Sequence, residues 1–174
     1  MFTNSIKKCA HITLGATALS LLLGGGLAFA QATTNLGVSA DVTNNCTIAA
    51  APALTVGNYN VLSATALTPT ATLAVTCTAG AVATIGLDAG ANGSHAAVGT
   101  TRAMTDGASD YLSYELYSDA GLSTVWGNVE GTWVVEPAAP STTAVDYTVY
   151  ANVPAQQSVP AGAYTDSVAV TVSF

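Results

Sequence analysis

Positive charge is nearly missing from this sequence: three Lys and Arg stand against ten Asp and Glu in 174 residues. Lys7 and Lys8 lie at the very start, so beyond residue 30 Arg102 is the only cation and the net charge there is −9. Neutralising phosphates takes Lys and Arg, so nucleic acids and anionic lipid surfaces are excluded as partners. Histidine is as scarce. His95 stands beside Ser94, just after Asn92-Gly93, which is a turn composition, and no Gly-x-Ser-x-Gly elbow occurs. A serine nucleophile needs a base and a group to orient that base, so the sequence reads as no enzyme. Metal ligands are also lacking. Beyond Cys9 only Cys46 and Cys77 remain, too few for zinc, and Asp88, Asp106 and Asp110 lack the spacing of a calcium loop. No metal or cofactor is expected. Helix signals and heptads are nearly absent as well. Charged residues make up 7% and hydrophobic ones 50%, the reverse of a disordered composition.

What is present begins with a leader. A short basic start at Lys7 and Lys8 is followed by an apolar run from Ile12 to Leu27, closing on Ala28-Phe29-Ala30. That order is the plan of a secretory signal peptide cleaved before Gln31. The run is short for a bilayer core of ~30 Å and is loosened by Gly24-Gly25-Gly26, which argues against a retained anchor. Removal of residues 1–30 leaves one domain of ordinary size. Its two cysteines, in an oxidising compartment, read as one Cys46–Cys77 disulfide contributing roughly 3–4 kcal/mol.

Strand signals fill the remainder. Leu36, Val38, Ala40 and Val42 alternate with smaller or polar residues over eight positions. Leu73, Val75 and Cys77 repeat that pattern, as do Val82 and Ile85-Leu87 before the turn residues Asp88-Ala89-Gly90. Tyr111–Tyr117 is rich in sheet-favouring aromatics. Thr132–Val135 is a short strand stopped by Pro137, and 145–153 is another, with Val145, Tyr147, Val149 and Ala151 on one face. The last, Ser167–Phe174, aligns Val168, Val170, Val172 and Phe174. Seven or so short strands predict a β-sandwich, with a closed barrel as the second choice. The strand before Cys46 either completes its own sandwich or serves another molecule, and patterning leaves both open.

Several segments come in a distinctive order: Leu36–Val42 just before Asn45-Cys46-Thr47-Ile48, then Leu73–Cys77, Leu112–Asp119 and Val125-Trp126-Gly127. The tail Val149–Gln157 then runs on through Pro160–Asp166 to Phe174. In this order the chain resembles the spore coat protein U family, which includes major pilins of archaic (Csu-type) chaperone–usher pili. The resemblance implies an incomplete immunoglobulin-like β-sandwich completed by a donor strand, one case of strand addition to a sheet edge. It implies a donor-strand extension over 31–44, with Leu36, Val38, Ala40 and Val42 as its inserting residues, and a pilin domain over 45–174. Val168, Val170, Val172 and Phe174 would border the acceptor groove. The implied partners are a periplasmic chaperone, an outer-membrane usher and neighbouring subunits of the same kind, on a pilus at the cell surface supporting adhesion and biofilm formation. Two other readings fit the composition. One is a self-contained secreted coat or matrix sandwich. The other is a small carbohydrate-binding module using Trp126, Trp133 and tyrosines, although a small sandwich needs its aromatics for the core. Nothing in the sequence names the partner of Arg102.

Overall fold

A computed structural model describes residues 30–49, 53–139 and 141–174. The expected leader therefore lies outside the described residues except for Ala30. The chain divides into two units, residues up to Ala40 and Asp41–Phe174.

The second unit holds eight strands: β1 (Cys46–Ile48), β2 (Thr70–Cys77), β3 (Ala83–Leu87), β4 (Arg102–Thr105), β5 (Tyr111–Tyr117), β6 (Val134–Glu136), β7 (Val145–Asn152) and β8 (Val170–Ser173). Among the described residues a single 3-10 turn, Gly93–His95, interrupts them. All pairings are antiparallel, in a five-stranded sheet ordered β1-β2-β7-β5-β4 and a three-stranded sheet ordered β6-β3-β8. The period-two patterns explain the core. Leu73, Val75 and Cys77 of β2, Ile85 and Leu87 of β3, Leu112, Tyr114 and Leu116 of β5, and Val149 and Ala151 of β7 form one buried cluster.

Several elements differ from the sequence pattern, each for a local reason. Residues 30–44 carry no strand, because an alternating segment becomes a strand only with a ladder partner, and none pairs with it among the described residues; pairing begins where Thr78 N donates to Asn45 O. Val82 is 55% exposed and precedes β3, which begins at Ala83. Within β3, Ile85, Gly86 and Leu87 are all buried. Gly86 makes this possible, since a Cβ there would come within 3.1 Å of the Asn128 Cα. The strand expected from Thr132 starts only at Val134, after a turn in which Thr132 N donates to Val129 O. The last strand is shorter than its pattern, covering Val170–Ser173.

β5 is buried on both faces. Its core side carries Leu112, Tyr114 and Leu116. Its Ser113 is covered from outside, where Ala97 N donates to Ser113 Oγ. Beyond the end of β7, the Gln157 side-chain amide takes over the ladder: Ser113 N donates to Oε1, and Nε2 donates to Ser113 O, both at 2.8 Å. Gln156 makes the turn that brings this amide in, with φ 58°.

The partner that Arg102 lacked in the sequence is Glu115. The two side chains are 1% and 2% exposed and are joined by a salt bridge. The guanidinium also donates to the carbonyls of Asp88 (2.8 Å), Leu87 (2.9 Å) and Trp126 (2.8 Å). Trp126, 1% exposed, donates its indole N–H to Ile85 O. Charge and indole thus tie β3 to the opposite sheet.

Candidate functional site: an open cleft along the last strand

β8 pairs on one edge only, with β3. Before it, Asp88 N donates to Ala169 O and Ala91 N donates to Ser167 O. Backbone groups alternate along an extended chain, so 167, 169, 171 and 173 turn toward β3. The N–H and C=O groups of Val168, Val170 and Val172 then point to the other edge. No strand occupies that edge among the described residues. The facing segment is equally bare. Leu54 and Val56 turn inward by alternation, yet residues 53–57 make no backbone hydrogen bond among those described. An unpaired strand edge is a template for pairing with another chain, so two unpaired extended edges beside an apolar interior are an unfinished sheet.

Between these edges lies a cleft of about 450 Å³. Leu73, Leu87, Leu116 and Val149 form its floor, while Leu54 and Val56 stand on one side and Val168 and Val170 on the other. A second cleft of about 460 Å³ shares Val56, Met104 and Tyr164 with it.

One polar pair interrupts the apolar lining. The Tyr114 hydroxyl donates to Asp166 Oδ2 at 2.8 Å. Asp166 Oδ1 accepts from Ala91 N and Asn92 Nδ2, both at 3.0 Å. Burial, and then the bond to the Asp166 carboxylate, push the Tyr114 phenol far above its usual range. Gly90 (φ 73°) allows the close approach, since a Cβ there would collide with Asp166 Oδ2. Asp88 Oδ1 accepts from Ala169 N at 2.9 Å and fixes the entry to β8.

Val168, Val170 and Val172 are half-buried with their side chains toward the interior, and Phe174 is 56% exposed. Leu36, Val38 and Val42 are 87%, 88% and 85% exposed, and Ala40 is exposed too. Cys46 and Cys77 are joined by a disulfide at directly opposed positions of β1 and β2. The polar pair is what sequence reasoning missed. Its signal was present, because Asp166 occupies an inward position in the series Tyr164, Asp166, Val168, Val170, Val172. Among the described residues, no three His, Cys, Asp or Glu side chains gather as metal ligands.

Comparison with known proteins agrees with this architecture. Residues 32–171 match the Spore Coat Protein U domain. Protein U of Myxococcus xanthus is 36% identical over 98% of this chain and 99% of its own length. The fold is similar to the crystal structure of the CsuC–CsuE chaperone–tip adhesion subunit pre-assembly complex from archaic chaperone-usher Csu pili of Acinetobacter baumannii, with a TM-score of 0.54 and 22% identity. That likeness covers 76% of this chain and 40% of the solved one, and at such identity it speaks for the fold. On the extent of the domain match and the identity to Protein U, the chain belongs to the spore coat protein U domain family.

Proposed function

We propose that this protein is a structural subunit of a chaperone–usher surface pilus that polymerises by strand donation. The observation that carries the reading is the unfinished sheet, with the free edge of β8 facing the bare 53–57 segment across an apolar cleft. In this reading residues 1–30 are a cleaved leader, 31–44 a donor extension and 45–174 the receiving body. A periplasmic chaperone covers the cleft first. At the outer-membrane usher, the extension of the next subunit replaces it, with Leu36, Val38, Ala40 and Val42 turned into the cleft. Burying each branched side chain contributes roughly 1.5–3 kcal/mol, and the ladder to Val168, Val170 and Val172 adds to it. The product is a fibre on the cell surface that supports adhesion and biofilm formation, with no catalytic step. Trp126 speaks against a carbohydrate platform, because it is spent in the core. A self-contained coat or matrix protein would need 35–42 in its own ladder, and no strand is found there.

Val38→Asp tests the reading. A carboxylate buried dry in the cleft costs several kcal/mol, so this variant should stay soluble, disulfide-bonded and chaperone-bound but form no fibres. Unfolding of the body by the same substitution would place the segment in its own core and overturn strand donation.

A further inference from the structure

The cleft is not uniform, and its one polar point sets a register. We propose that the Tyr114–Asp166 pair selects how the extension of a second copy lies against β8, with Ala40 over Asp166 and the two strands antiparallel. The proposal rests on the strand-donation reading above and deepens it.

Five inward positions follow one another on the β8 side, Tyr164, Asp166, Val168, Val170 and Val172, and the first four of them line the cleft. Five residues of the extension share one phase: Thr34, Leu36, Val38, Ala40 and Val42. Only one acceptor position carries a charge, and only one of the inserting apolar residues is small. Asp166 keeps its bonds to Tyr114, Ala91 and Asn92 only if the residue above it leaves them undisturbed. A branched apolar side chain there would strip water from the carboxylate and crowd the phenol. Ala40 does neither.

Coverage then decides direction. Antiparallel pairing with Ala40 at Asp166 puts Val42 at Tyr164, Val38 at Val168, Leu36 at Val170 and Thr34 at Val172. All five positions are covered. Parallel pairing through the same point would bring Asn44 to Val170 and Cys46 to Val172, yet Cys46 is already held to Cys77 in the donor's own β1. Sliding by one repeat either way sets Val38 or Val42 on the carboxylate. Thr34 could sit on Asp166 only by leaving Val168, Val170 and Val172 without the apolar residues.

Cysteine pairs in assembled fibres read the register. Residues directly opposite lie with Cβ atoms about 4.5–5.5 Å apart, against roughly 7–8 Å on the diagonal, and a disulfide tolerates only the shorter spacing. Fibres of Val38→Cys/Val168→Cys should give a ladder of covalent multimers that survives boiling in detergent without reductant. Val38→Cys/Val170→Cys and Leu36→Cys/Val168→Cys should not. A ladder from either shifted pair, or from none of the three in fibres that do form, overturns the register while strand donation stands. Failure of the native chain to form fibres overturns the reading beneath it and this proposal with it. Side-chain size gives an independent measurement. Ala40→Leu should slow assembly about tenfold or more relative to Val38→Leu, and equal rates for the two would overturn the role of the polar pair.

Discussion

Arg102 sits where a cation is least expected, buried in a chain with almost no others, and its guanidinium finds acceptors at every nitrogen. Glu115 balances the charge and takes one N–H, three carbonyls take three more, and the Thr101 hydroxyl takes the fifth. Truncating one member leaves the other charged and unpaired in the interior, which costs about 3–5 kcal/mol. Arg102→Met should therefore lower the unfolding free energy by that amount in chemical denaturation. Arg102→Met with Glu115→Leu should cost less than either single change, because apolar replacement of a whole buried pair is far better tolerated. Tyr114 gives a pH signature. Its folded-state pKa is raised, so the folded form holds the proton more tightly than the unfolded chain, whose phenol titrates near ~10. The contribution is fully present below about pH 10 and is lost as pH rises above it. Denaturation midpoints between pH 8 and 11 should fall less steeply for Tyr114→Phe than for the native protein.

Among the elements, legibility followed partnership. β5 spans the expected Tyr111–Tyr117, and β7 nearly matches its pattern, because both lie inside the five-stranded sheet where every position has neighbours. The disulfide was readable from the cysteine count together with the export that the leader pattern implies. What alternation could not supply was whether a strand-like segment has a partner. Residues 35–42 read as strongly as 167–174, yet only the latter meets another strand, β3. The cleft was legible only through family resemblance, because a missing strand leaves no mark on residues that would surround it either way. Asp166 was hidden for the opposite reason. An acidic residue in an apolar series looks like a surface interruption until the Tyr114 hydroxyl is seen reaching it.

At the scale of the whole molecule, the distribution of charge and the division of the chain belong together. Beyond residue 30, a net charge of −9 rests on a chain otherwise rich in small polar residues. N-terminal sequencing of the exported protein should begin at Gln31, and recovery of Lys7 would contradict removal of the leader. The disulfide then acquires a mechanical meaning. If strand donation holds, a pull arriving along an extension anchored in a neighbouring subunit enters the body at Cys46, and the bond hands it straight across to Cys77 in β2. The covalent path skips the chain between them, which includes Leu54 and Val56 on the wall of the cleft. Reduction would put those residues in series with the load. Fibres stretched in reductant should lengthen by roughly 100 Å more per yielding subunit, for a sequence separation of 31. They should also lose their neighbours sooner, because the wall that grips the next strand would be the first thing drawn out.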